Sequence, residues 1–340
     1  EKIGGTLLAD TETWDAVRDG EVDFIHSMGS YVSGTVTDLS PLTIAGYYGG
    51  DDFLGFADGI HDTVEAIYGD YGVKYLGALY QAYSAIVCTD KQIKSPSDVK
   101  GLTFRASGTW VSKTVEAWGG AATTIGLADL ADAFSKKTVA GTATGWNIIV
   151  PFKIYEVAKY VTGTHILEGF AALLMNGDRW DSLNADEQAL LEAAAKIFEQ
   201  KSVEIGNKAM ADYRKQVEDS GLNEIYDLTA EQQAAFVNLA MGLYDEMEPQ
   251  VGENGKKLIQ ILKQVNNAPA TPATPTASYN LDNVRNQKFV LAHGLMESSM
   301  GGRQYHEFCV AVEELSQGKM TIEEKIGGTL LADTETWDAV

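Results

Sequence analysis

Arg105 is the residue whose type and setting point most directly to chemistry. It sits in a short apolar run, LTFRA at 102–106, after a Pro–Ser–Asp turn at 96–98 and Gly101. An arginine in a strand is costly to bury unless its charge is met. Its rigid planar fork matches a carboxylate through two parallel hydrogen bonds. The partner could be a ligand carboxylate or an internal Asp or Glu, and the local sequence leaves both open. His26 and His293 are candidates of a second kind. Each stands at the carboxyl end of an expected strand, VDFIHS at 22–27 and KFVLAHG at 288–294. Ligands of open α/β sheets gather at such ends. Ligand contact and a satisfied strand-end histidine weigh equally there. Trp110, Trp146, Tyr31 and Met28 could form an apolar or aromatic surface behind a carboxylate, although aromatic residues at this spacing also build cores.

Elsewhere the chain excludes more chemistry than it offers. It has no G-x-S-x-G elbow, P-loop, strand-linked G-x-G-x-x-G, H-E-x-x-H or C-x-x-C. Those are the patterns that would bring a nucleophile, a phosphate cradle or a metal into place. The five histidines lack ligand spacing, and so do Cys88 and Cys309. The expectation is a protein that is not an enzyme, with no metal and no cofactor. Acidic residues outnumber basic ones, 48 to 26, for a net charge of −22. That balance disfavours nucleic acid and anionic membranes as partners. It would also repel an anion at long range, so capturing one needs a local, buried cation. No apolar run approaches the roughly 18–20 residues that span a bilayer, which argues against direct membrane insertion.

Positioning these residues requires alternating strands and helices. Helices are predicted after Asp10–Thr11 as far as Gly20, over 51–72, 108–120 and 127–137, and over 229–247, 255–265 and 298–316. Strands are predicted at VKYLGALYQ, SAIVCT, TFRA (103–106) and FAALLMN (170–176). The alternation implies mostly parallel sheets with helices on both faces. The stretch 185–221 is rich in Ala, Glu, Lys and Gln, holds no Pro and ends in Ser–Gly. A helix over it would be about 50 Å long, at about 1.5 Å per residue. Such a helix either forms a coiled coil or crosses from one lobe to another, and the absence of sustained heptads favours the crossing.

The chain also repeats itself. EKIGGTLLADTETWDAV at 1–17 recurs without change at 324–340, a period of 323 residues. The expectation is one turn of a tandem array plus an overlap, or a circularised sequence. NNAPATPATPTAS at 266–278 favours the array, since alternating Pro, Ala and Thr reads as a linker.

Several segments resemble the solute-binding proteins of TRAP transporters. SPSDVKGLTFRAS at 95–107, with its following helix, is similar to that family's Pro-x-Asp-x-Lys-Gly-x-x-x-Arg strand. GWNIIVPFKIYEVAKYVTG (145–163) and RWDSLNADEQALL (179–191) resemble later blocks. IGGTLLADTETWDAVRDGEVDF (3–24), KFVLAHG and EFCVAVEELSQGKMTIE (307–323) resemble the family's amino-terminal region. The order is circularly permuted: the family's chain would begin near Asn286 and end near Val265. The resemblance implies an α/β, two-lobe periplasmic-binding-protein-like fold with a hinge and a long lobe-spanning helix. It implies lobe I from 1–82, 171–210 and 286–323, and lobe II from 83–170 and 211–265. A linker at 266–285 and the duplicate at 324–340 complete the chain. It further implies capture of a small organic carboxylate in an interlobe cleft, in a periplasmic or extracytoplasmic setting. Delivery would be to TRAP membrane permease subunits. The family's carboxylate-binding arginine falls on Arg105 and its pocket wall on Trp146. Its strand-end positions fall on His26–Met28 and on His293–Gly294. Ser107 and Trp110 complete the candidate set. Two departures stand out. The family's Val–Asp–Gly aspartate is Ala140 here, and no second cation stands near Ala85. The alternative is a tandem-array surface or structural binding module without a transport role.

Overall fold

The computed structural model describes residues 13–46, 53–81, 84–126, 129–166, 170–265, 278–293, 295 and 299–326. The strands are β1 (Phe24–Met28), β2 (Val73–Leu79), β3 (Ser84–Cys88), β4 (Thr103–Ala106), β5 (Ala121–Thr124) and β6 (Gly141–Gly145). They continue with β7 (Tyr160–Thr164), β8 (Ala171–Asn176), β9 (Glu224–Asp227), β10 (Gln287–His293) and β11 (Met320–Ile326). They form two sheets. The first runs β11-β10-β1-β8-β2, and the second β5-β4-β6-β3-β7-β9.

Neither sheet is as parallel as the alternation of elements predicts. β8 runs antiparallel to β1 and β2, and β3 runs antiparallel to β6 and β7. The reason is the route of the chain. β2 ends at Leu79 and the next strand opens in the other sheet, where Ser84 pairs with Gly145 and Thr164. A chain that enters at the carboxyl ends of its neighbours must run against them. The return from β7 to β8 repeats the geometry, with Ala171 opposite Met28 and Leu79. The strand ends that carry the candidate residues therefore meet at the crossings between sheets.

The helices are α1 (Thr13–Arg18), α2 (Gly29–Val32), α3 (Phe53–Gly69), α4 (Thr109–Ala117), α5 (Leu130–Ser135), α6 (Trp146–Ile149) and α7 (Ile154–Val157). Next come α8 (Gly177–Asp181), α9 (Ala185–Ser220), α10 (Ala230–Met241), α11 (Leu243–Met247), α12 (Glu253–Val265) and α13 (Met300–Leu315). The predicted single helix at 229–247 is broken at Gly242, and α11 follows. α12 packs against α3 and the 3-10 turn at Thr37–Thr43, beside the five-stranded sheet, although 211–265 was expected in the second lobe.

α9 starts on a reciprocal cap between Asn184 and Glu187 and ends at Gly221, whose φ of +65° suits glycine. Leu190, Leu191, Ala194 and Phe198 bury against the five-stranded sheet. Further along, Ala209, Met210 and Val217 join the core that holds Trp146 and Val161. One helix thus serves both lobes.

The repeated segment is divided. The first copy supplies α1 as far as Val17, with Trp14 and Val17 buried. Residues 324–326 of the second copy finish β11, in register with Leu291, Ala292 and His293. Leu7, Leu8 and the rest of the second copy lie outside the described residues. Cys88 and Cys309 are both buried free thiols.

Candidate functional site

Arg105 is placed by a short, well-specified approach. Ser95 and Asp98 cap the turn before it reciprocally, and Gly101, at φ +79°, redirects the chain into β4. β4 then lies between β5 and β6, with Arg105 opposite Thr123 and Thr142. The side chain is 7% exposed. Its Nε donates to the carbonyl of Ile125 at 2.9 Å, and the Thr142 hydroxyl donates to the Arg105 carbonyl at 3.3 Å. Among the described residues, no ion pair joins a carboxylate to it, and the hydrogen bond of its guanidinium goes to the Ile125 carbonyl. Burial lowers its pKa from 12.5, while Tyr31 of α2 acts in the opposite direction. Among the described residues, then, the internal ion pair that the sequence left open is not seen at Arg105.

The elements around it come from both sheets. The Ser30 carbonyl on α2 stands 3.6 Å from where a side chain on Gly108 would begin, so the end of β1 approaches the end of β4. Ser107 is half-buried beside Arg105. Trp110, 8% exposed, lies one turn further on, with the Lys113 ammonium 5.2 Å above its ring. Lys113 is in turn paired with Glu246. Met28 is half-buried at the end of β1 and packs on the core.

Trp146 opens α6 at the end of β6, almost wholly buried. One face of it lines a cavity of about 450 Å³, shared with Ser84, Thr164, Asn207, Met210 and Leu228. Arg105 does not line that cavity, although both stand at the carboxyl edge of one sheet. His165, Arg214 and Asp227 also line that cavity, but Arg214 is paired with Asp227 at 2.7 Å, whereas Arg105 is the buried arginine, and we take Arg105 as the candidate site.

His26 and His293 are brought together on adjacent parallel strands and are 3% and 2% exposed. Both rings lie on Tyr305 of α13, with centroids at 5.3 and 5.5 Å. No ring nitrogen of either has a hydrogen-bond partner among the described residues. Burial, and then the neighbouring His293, pushes His26 down to about 3. Burial likewise lowers His293, against a pull upward from Glu324. Gly294 lies outside the described residues. The Ile125 carbonyl and Thr142 escaped sequence reasoning, because a backbone acceptor leaves no residue-type signal.

Among the described residues, no cluster of three His, Cys, Asp or Glu could hold a metal ion, and no helix is long and apolar enough to cross a membrane.

The chain is similar to known proteins over most of its length. The family model described as bacterial extracellular solute-binding protein, family 7, matches residues 4–250. The ectoine/5-hydroxyectoine-binding periplasmic protein UehA of Ruegeria pomeroyi is 20% identical over 266 residues, 76% of this chain and 78% of that protein. A TRAP periplasmic solute-binding protein from Sulfitobacter sp. NAS-14.1, solved with β-D-galacturonate, superposes with a TM-score of 0.68 at 19% identity. That match covers 76% of this chain and 86% of the other. A TRAP periplasmic solute-binding protein from Shewanella oneidensis, solved with succinate, gives 0.66 at 18% identity, over 77% and 85%. At such identities the likeness is one of fold: two α/β lobes, a hinge and a long helix serving both.

Proposed function

The chain belongs to the bacterial extracellular solute-binding proteins of family 7, and on that premise we propose that it captures a small organic acid through Arg105. Members of this family are periplasmic binding proteins, not enzymes, and work with TRAP membrane permeases. The observation that carries the carboxylate reading is the state of Arg105: buried, charged, and tied on one edge to a backbone carbonyl. A guanidinium keeps its proton, so its buried charge has to be answered by an anion. A ligand carboxylate fits the fork of two parallel N–H donors. Ser107 would add a hydroxyl, and Trp110, Trp146 and Met28 an apolar wall. At the strand ends of the facing lobe Gly294 completes the set, with His26 and His293 packed on Tyr305 in the core behind it. Delivery to permease subunits from an extracytoplasmic position follows from the family.

The lobes we infer are 1–82, 171–210 and 286–323 on one side, and 83–170 with 211–265 on the other, with α12 returning to the first. We also read the chain order as rotated. In support, the second copy of the repeat finishes β11 while the first supplies α1, the element that follows β11 in the family's order.

Isothermal titration of purified protein with succinate, D-galacturonate and ectoine tests the reading, alongside native mass spectrometry for a co-purified acid. We expect one or more carboxylates to bind, and binding to be lost in Arg105→Ala. All three carry a carboxylate, so acid binding that survives the substitution would sink it.

A further inference from the structure

β2 lies at the edge of its sheet, so the outer row of its backbone groups needs partners from elsewhere. α9 supplies them. The Glu199 carboxylate accepts from the Ala78 amide at 2.9 Å, and the Ser202 hydroxyl accepts from the Tyr80 amide at 3.1 Å. These side chains are three apart on one face of the helix, and the amides are two apart on one face of the strand, so the two periods meet. Gln304 of α13 donates to the carbonyls of both Tyr80, at 3.0 Å, and Ser202, at 2.7 Å. The Tyr80 phenol donates to Asn207 at 3.1 Å.

Two glycines make room. A side chain on Gly77 would begin 2.9 Å from the Glu199 carboxylate, and one on Gly206 would begin 2.5 Å from the Tyr80 ring. Glycine inside a helix is ordinarily unfavourable, so its use at Gly206 reflects this close approach. Glu199 itself is fixed: Lys196 pairs with it at 2.9 Å and with Asp58 of α3 at 2.6 Å. Tyr80 follows the last residue of β2, just where the chain leaves for the other sheet.

We propose that Glu199, Ser202 and Gly206 are positioning residues for ligand capture. They staple α9, as far as Gly206, to the five-stranded lobe, so that helix and lobe turn as one body when the cleft closes. This rests on the solute-binding reading for its purpose, but not for its test. Tyr80 is then the fixed end of the hinge, and Asn207, bonded to its phenol, closes the staple.

Hydrogen exchange and spin-label distances test it without any ligand. In Ser202→Ala the buried Tyr80 amide loses its acceptor. Its protection should fall about tenfold or more, while amides of β8 keep theirs. Unchanged protection at Tyr80 would overturn the proposal. In the wild-type background, labels at Glu204→Cys and Lys288→Cys should give a narrow distance distribution, and labels at Glu204→Cys and Lys100→Cys a broader one. The reverse order would overturn it even where Gly206→Ala or Ser202→Ala fails to fold. Gly206→Ala, where folded, should broaden the first distribution. No readout involves an acid, so failure to bind any acid would count against Arg105 alone.

Discussion

His26 and His293 in the five-stranded sheet and Arg105 in the six-stranded sheet are all buried basic groups near the carboxyl ends of strands. Burial has opposite consequences for them. An imidazole can shed its proton near neutral pH, and burial pushes His26 down to about 3. The neutral ring then packs as an aromatic, edge-on to Tyr305, which also packs against Phe198. Arg105 has no such escape. Burial lowers its pKa, but from 12.5, and the guanidinium stays charged. A buried charge that can be removed becomes core; one that persists must be met by something. At Arg105 that something is a carbonyl on one edge of the fork and, on our reading, a ligand carboxylate on the other.

The sharpest way to break this comparison is to remove the persistent charge. Arg105→Ala should weaken binding of the cognate acid by about 2–5 kcal/mol, roughly 30- to 4000-fold. Arg105→Lys should recover little, because an ammonium lacks the fork. Calorimetric titration of both variants decides it. Near-wild-type affinity in the alanine variant would reduce Arg105 to a structural residue, like the histidines.

The histidines should reveal themselves through pH instead. Above pH about 6.5 they are neutral in both folded and unfolded chains. Below that value the unfolded chain takes up protons that the folded core refuses. Stability should therefore fall with acidification, from about pH 6.5 towards the folded value near 3 for His26. The slope for a fully suppressed histidine is about 1.4 kcal/mol per pH unit. The neighbouring His293 adds to the suppression of His26. Glu187 adds a loss of its own, but later. Burial alone would raise it; the Arg285 guanidinium and the amides of Asn184 and Arg285 hold it down to about 2. Its loss begins only below the usual carboxylate value of 4.5. Urea midpoints between pH 7.5 and 5.5 thus report on the histidines, against an opposing contribution from Glu199, which burial raises from 4.5. His61 is lowered as well, chiefly by burial. His26→Phe should flatten the curve in that window without abolishing it, and a wild-type curve already flat would contradict the neutral-core account.

Much of this arrangement was legible in the sequence, and the gaps have physical causes. TFRA was read as a strand at the residues where β4 lies, because a turn and Gly101 bracket it. The long helix was read at 185–221 against an observed Ala185–Ser220, since its caps and composition agree. β6 was missed. Its sequence, GTATG, has no apolar alternation, because the Phe104 ring fills the space over Gly141. A side chain there would begin 2.5 Å from that ring. β5 was missed for a similar reason: small residues on an edge strand leave little pattern. The antiparallel strands were missed because direction follows from where the chain crosses between sheets, which no local pattern records. At the site, Arg105 was found by residue type, but the carbonyl that orients it belongs to the backbone.

The smallest expected effect separates the two regions most cleanly. His26→Phe keeps an aromatic ring against Tyr305. It deletes two ring nitrogens that have no hydrogen-bond partner among the described residues, so no partner group is stranded. It also removes the suppressed proton site, which should leave the core as stable as before at pH 7.5 and more stable in acid. Affinity for an acid that binds the wild type should stay within about threefold, under 1 kcal/mol. Calorimetry at pH 7.5 measures it against Arg105→Ala in the same buffer. A loss beyond about tenfold would mean that an imidazole nitrogen reaches the ligand. The two strand ends would then be two halves of one binding site, and the contrast between a neutralised core and a retained charge would no longer hold.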